Sequence, residues 1–227
     1  MLQLPLNVLL DDTARFDNFF TGANQQLNFR LQSLIDNPGE FIFVWGSSES
    51  GKTHLAQAVC RQFGENNKSA VYLPLDNIAL TPEVLLGLSC MDLVCLDNVN
   101  AVSQSAEWQQ ALFDLYNNLK LDNKNLLLFS SAAPNQLALT LADLLSRFTA
   151  MEIYKLDSLD DQQKLVFFQQ RAANRGIDVS AEVVHFLLAR QSRSISDLIK
   201  MLDQIDLSSI ALKRKVTIPL VKEIFNL

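Results

Sequence analysis

The segment Gly46-Ser47-Ser48-Glu49-Ser50-Gly51-Lys52-Thr53 fits the spacing G-x-x-x-x-G-K-[ST]. That spacing suits a loop that cradles phosphates. Glycines let backbone N–H groups turn inward around anionic oxygens. A helix starting near Lys52 aims its positive end at the same anion. Lys52 is placed to reach the β- and γ-phosphates, and Thr53 offers a hydroxyl to Mg²⁺. The bland alternative is a strand–helix turn that contains Gly-Lys-Thr by chance. An apolar run before the loop and a helical pattern after it favour the phosphate loop. His54 follows on the first helical turn, at the edge of the nucleotide site, and reads as packed or capping rather than catalytic.

Leu93-Val94-Cys95-Leu96-Asp97 is an apolar run ending in an acid. An acid at the carboxyl end of a buried strand faces the crevice where phosphates bind in open α/β sheets. Asp97 is assigned to the Mg²⁺ shell. The next residue is Asn98, whose amide can position a water but cannot accept its proton. Slow hydrolysis by this chain alone is therefore expected. Arg147 closes Asp143-Leu-Leu-Ser-Arg-Phe148 at a helix end. One reading is a surface ion pair or a partner of the helix dipole. The other is an arginine finger that reaches a nucleotide in a neighbouring subunit.

These residues need a scaffold, and the periodicity supplies one. A helix fits Asn24 to Ile35, with Leu27, Leu31, Leu34 and Ile35 along one face. Phe41–Trp45 is a continuous apolar run, the pattern of a strand buried on both faces. A helix follows from Lys52 to about Phe63. Strands then fit Ala70–Leu73, Leu93–Leu96, Asn125–Phe129 and Glu152–Leu156, the last at a sheet edge. Helical stretches fit Thr81–Leu86, Trp108–Leu119 and Leu141–Phe148. This alternation predicts an α/β fold with a parallel sheet. After Leu156 only helices fit: about Asp160–Arg175, Ser180–Gln191, Ser194–Ile205 and Pro219–Phe225. The expected organisation is a tail over 1–12, an α/β base over 13–156 and a helical lid over 157–227.

Composition narrows the rest. Lys+Arg number 19 against 25 Asp+Glu, a net charge of -6. That argues against a broad DNA-coating surface, which needs clustered cations. Lys213-Arg214-Lys215 is the one tight basic cluster. It reads as a solvated helix end, with contact to DNA or an acidic partner as the other reading, so any DNA contact is weak or indirect. Three cysteines and two histidines, without a Cys-x-x-Cys pair, fit neither a disulfide framework nor a zinc site. No membrane-length apolar run and no signal peptide are apparent, so a cytoplasmic location is expected. Trp45 and Trp108 read as core or pocket-edge packing.

The order of phosphate loop, strand-Asp97, a strand ending at Ser130-Ser131, a Ser-Arg-Phe helix and a helical lid resembles the AAA+ ATPases. Within them it is similar to the DnaA group. Phe16-Asp17-Asn18-Phe19, Gly22 and Asn24 resemble the segment that borders the nucleotide there. Phe113 to Asn117, Ile153 to Leu156 and Lys215 to Ile224 resemble a regulatory branch of the group. The chain stops at Leu227, leaving no room for the DNA-binding domain that follows the lid in DnaA. Gln3-Leu4-Pro5-Leu6 resembles the peptide by which such regulators bind the sliding clamp, the beta subunit of DNA polymerase III. An extended tail of this kind can enter an apolar cleft as a ligand.

The resemblance implies bound ADP or ATP with Mg²⁺. Gly46, Ser47, Ser48, Glu49, Ser50, Gly51, Lys52 and Thr53 would hold its phosphates, and Phe16, Phe19 and Asn24 would border its base. It implies Arg147 acting in trans on ATP held by DnaA, clamp contacts from Gln3, Leu4 and Leu6, and self-association as a dimer or larger assembly. Three departures weaken autonomous turnover. The second-sensor arginine falls at Ser196, with Arg193 one turn upstream as a substitute. The acidic first-sensor position falls at Ser131 or Ala132. Asn98 stands where a second acid would. A nucleotide held as a structural switch, diphosphate in preference, is expected. The competing readings are an autonomous ATPase serving as a clamp-loader or helicase-loader subunit, and a nucleotide kinase, which the helical lid disfavours.

Overall fold

A computed structural model describes residues 14–190, 194–212 and 215–226. Gln3, Leu4, Leu6 and the rest of the 1–12 tail lie outside the described residues, as do Arg193, Lys213 and Arg214. Two compact units divide between Ser158 and Leu159.

In the first unit, strands β1 (Phe41–Trp45), β2 (Ala70–Pro74), β3 (Leu93–Asp97), β4 (Asn125–Ser130) and β5 (Glu152–Lys155) form one sheet in the order β2-β3-β4-β1-β5. Every pairing is parallel. The apolar runs make this possible because both faces are covered and successive side chains alternate between them. Phe43, Val94, Leu96, Leu126 and Leu128 pack on one face with residues of helices α3 (Ala106–Leu121) and α4 (Ala142–Thr149). Ile42, Val44, Tyr72, Cys95, Leu127 and Phe129 pack on the other with α1 (Gln25–Gln32) and α2 (Lys52–Glu65). Trp45 and Trp108 both belong to the first of these clusters.

Local chemistry explains where the helices depart from the expected spans. The helix anticipated over Asn24–Ile35 gives way to a 3-10 turn at Ser33–Asp36. There the Ser33 hydroxyl donates to Arg30 O at 2.8 Å, and Asn37 Nδ2 donates to Ser33 O at 2.7 Å. Such side-chain bonds compete with the α-helical ladder. The Thr81–Leu86 stretch forms only a 3-10 turn, Pro82–Leu85, because Gly87 at φ +78° follows it. Helix α3 starts earlier than expected because the Ser105 hydroxyl accepts from Trp108 N at 3.4 Å.

The second unit holds α5 (Asp161–Asn174), α6 (Ala181–Arg190), α7 (Ile195–Leu212) and α8 (Ile218–Phe225). Asp160 caps α5 reciprocally with Gln163. Ser194 Oγ accepts from Asp197 N at 3.0 Å at the start of α7. Phe168, Val184, Leu187, Leu198, Leu202, Ile205 and Val221 form its core. No helix among the described residues is long and apolar enough to cross a membrane.

Candidate functional site

The carboxyl ends of β1, β3 and β4 converge. Gly46 N donates to Ser130 O at 3.1 Å, so the loop after β1 leaves beside the end of β4. Asp97 ends β3 and is fully buried. Thr53 Oγ1 on the first turn of α2 donates to Asp97 Oδ2 at 2.7 Å. The two residues assigned to Mg²⁺ are therefore in direct contact.

The loop geometry fits a phosphate. Gly51 is the N-cap of α2, at φ +100°, with no side-chain cap bond. The first amides of a helix lack intrahelical acceptors, so this end is electropositive. Ser50 is buried and its hydroxyl has no hydrogen-bond partner among the described residues. Lys52 Nζ donates to Gly46 O at 2.8 Å and Ser47 O at 2.6 Å. An ammonium has three donors, so one is left for an anion. Burial draws the Lys52 ammonium below its ordinary value, opposed by the Asp97 charge. Ser47, Ser48 and Glu49 are exposed at the loop tip, with Glu49 at φ +62°. No cluster of three His, Cys, Asp or Glu that could hold a metal occurs among the described residues. A single carboxylate beside a hydroxyl fits Mg²⁺ that brings phosphate oxygens as its other ligands.

The amino-terminal segment braces this loop. A Cβ on Gly51 would stand 2.9 Å from Phe19 Cε2, so the ring packs on the glycine. The Phe19 and His54 rings are 5.6 Å apart, and His54 Nε2 is 2.9 Å from Arg15 O. His54 thus packs and ties down backbone. Phe16 packs against the α1–α2 side of the core. Asn24 is buried, and its amide both donates to Asp157 O and accepts from Asp157 N, each at 2.9 Å. The Asn24 side chain thereby fastens the chain after β5 to the start of α1.

Beyond Asp97, Asn98 takes a left-handed conformation at φ +56° and its N–H donates to Asp97 Oδ1 at 2.9 Å. Asn100 was not singled out from the sequence. Its Oδ1 accepts from Ser131 N at 2.9 Å and from Ser130 Oγ at 3.4 Å, which fixes the end of β4. Neither Ser131 nor Ala132 supplies an acid there.

Arg147 is exposed in the last turn of α4, its guanidinium 5.7 Å from the Tyr116 ring centre. It makes no ion pair among the described residues. Gln109 anchors the approach to this helix. Its Oε1 accepts from Thr140 N and Leu141 N, and its Nε2 donates to Ser103 O. No sequence signal marks it, since a polar residue inside a helical run usually faces water. In the second unit, Ser196 is exposed on the first turn of α7, its hydroxyl 3.0 Å from that of Ser194.

Known structures share this fold. Domain III of DnaA from Thermotoga maritima matches with a TM-score of 0.79 at 18% identity, over 96% of this chain and 98% of that one. AMPPCP-bound DnaA from Aquifex aeolicus matches with a TM-score of 0.78 at 23% identity, over 89% and 67%. The RuvB Holliday junction branch migration motor of Thermotoga maritima matches with a TM-score of 0.65 at 12% identity, over 89% and 68%. What these structures share with the chain is the AAA+ fold of DnaA, a parallel five-stranded sheet followed in the chain by a helical unit. Residues 161–225 match the family described as Hda, lid domain. The helical second unit is therefore similar to an Hda lid domain, and the chain as a whole shares the fold of DnaA.

Proposed function

We propose that this chain is a nucleotide-bound adaptor that activates hydrolysis of ATP held by DnaA and so restrains initiation of chromosomal replication. The observation that carries the reading is Arg147, exposed at the end of α4 and held over an aromatic ring rather than by a carboxylate. A guanidinium placed so can swing to a phosphate in a neighbouring molecule. Its planar donor fork suits the charge that develops on a transferring phosphoryl group.

The chain's own nucleotide, ADP or ATP, sits at the Gly46–Thr53 loop. Its phosphates meet the α2 N-terminus and Lys52. Thr53 and Asp97 hold Mg²⁺, and Phe16, Phe19 and Asn24 border the base. The metal neutralises phosphate charge. Asn98 keeps the site from supplying a base, so the nucleotide acts as a structural element. Gln3, Leu4 and Leu6 bind the sliding clamp. That tether raises the local concentration of the finger at replicating DNA. Self-association through nucleotide and finger belongs to the same reading, as does residence with the replisome.

The test is hydrolysis of ATP pre-bound to DnaA, with clamp loaded on DNA, with and without this protein. Clamp-dependent acceleration is the expected result. ATP turnover by this chain alone, without acceleration, would replace the adaptor with an autonomous ATPase.

A further inference from the structure

Strand β2 lies beside β3, and Tyr72 on β2 is in register with Cys95. From there the Tyr72 phenol reaches the end of β3 and donates to Asp97 Oδ2 at 3.0 Å. That oxygen already accepts from Thr53, while Oδ1 accepts from Asn98 N. Three donors from three elements therefore converge on one buried carboxylate. The phosphate loop and the Thr53–Asp97 pair account for phosphate and metal without any phenol. Tyr72 is buried on the edge strand β2, where Val or Leu would fill the same space without a polar atom to satisfy. A phenol is protonated near neutral pH, so it stays a donor.

We propose that Tyr72 is a positioning residue for Asp97, locking the carboxylate that orders Mg²⁺ and thereby setting the metal-linked part of nucleotide affinity. The inference rests on the nucleotide reading above. Donors on both oxygens define the rotation of the carboxylate. With the Tyr72 hydroxyl removed, Oδ2 keeps the Thr53 hydroxyl as its one side-chain donor among the described residues. Outer partners of metal-ordering groups typically affect metal affinity by about 10- to 100-fold.

The experiment uses the full chain and its Tyr72→Phe variant, which keeps the ring and removes the hydroxyl. The probe is a fluorescent ADP, with Kd measured in Mg²⁺ and in EDTA. In the wild type, binding is tighter with Mg²⁺. In the variant, the Kd in Mg²⁺ rises about tenfold and the Kd in EDTA is unchanged. An equal Mg²⁺-to-EDTA ratio in both proteins overturns the inference and spares the nucleotide reading. So does a parallel rise of both constants, the signature of a loosened core. Wild-type protein that binds no ADP, or binds it without regard to Mg²⁺, overturns both. Should the variant not fold, tyrosine ¹³Cζ NMR of the wild type takes its place. The chain has three tyrosines, and Tyr116→Phe and Tyr154→Phe identify the Tyr72 signal. That signal must move when Mg²⁺ joins bound ADP, and a fixed signal overturns the inference.

Discussion

The Arg147 guanidinium stands over the face of Tyr116, joining the last turn of α4 to the middle of α3. Tyr116 is itself buried against Phe41, ring centres 4.7 Å apart, so the platform is rigid while the cation above it is exposed. An exposed cation–π contact is worth only about 0.5–1 kcal/mol. Arg147→Ala is therefore expected to leave thermal unfolding almost unchanged. On the adaptor reading it loses about 10³-fold or more of the stimulation of DnaA-bound ATP hydrolysis. Single-turnover assays with clamp-loaded DNA decide this. Stimulation at the wild-type level would remove Arg147 from the mechanism.

Gln109 predicts the opposite balance. It is almost wholly buried and satisfies the Thr140 and Leu141 amides just before α4 begins. Gln109→Ala strands those donors and the Ser103 carbonyl, a cost of about 1–3 kcal/mol. Urea unfolding reads that cost directly. Because α4 carries Arg147, stimulation should fall as well while clamp binding persists. An unchanged unfolding midpoint would show that water replaces the amide at no cost.

Three glycines separate crowding from conformational freedom. A Cβ on Gly46 would sit 2.4 Å from Leu156 O, a backbone atom that cannot step aside. Gly46→Ala should therefore destabilise the base and abolish nucleotide binding. Gly51→Ala meets both a left-handed φ and the Phe19 ring, and a non-glycine residue in strained backbone costs about 1–3 kcal/mol. Gly64 in α2 has nothing among the described residues within 4 Å of its Cβ position. Gly64→Ala should stabilise by about 0.5–1 kcal/mol, because alanine loses less backbone entropy in a helix. Thermal melts of the three variants give the order. A Gly46 variant as stable as the Gly64 variant would contradict the packing described.

What the sequence made legible was local. Phe41–Trp45 reads as a buried strand because five apolar residues in a row leave no polar face, and the structure places it next to the sheet edge strand, beside β4 and β5. The phosphate loop and Asp97 carry their own signatures, and strand order brings Thr53 to Asp97 across 44 residues. Tyr72, Asn100 and Gln109 were silent for one shared reason. Each acts on a partner supplied by the fold, so its neighbours in sequence reveal nothing. Tyr72 sits in Ala70–Pro74 and looks like core until β3 is laid beside it. The α1 boundary was missed because Ser33 turns its hydroxyl back on the helix, a choice that composition does not signal.

Asp92, at the start of β3, provides a pH test away from the site. Lys124 Nζ is 2.8 Å from its Oδ1, and the Ser69 amide and hydroxyl donate to its Oδ2. The Lys124 bond first, and then the Ser69 donors, pull its carboxyl from 3.8 down to about 2. A carboxyl held below its ordinary value favours the folded state while it is ionised. That contribution is complete above the ordinary value and drains away as pH falls from 3.8 towards about 2. Asp92→Asn removes the titrating group, so its stability should decline less steeply than the wild type across that window, and the two curves should run parallel above pH about 5. The side chain is partly exposed, so added salt should shrink the difference. Denaturant unfolding at a series of pH values, at low and high salt, measures both. Parallel curves throughout the acid range would mean that Lys124 and Ser69 do not hold the carboxylate in solution.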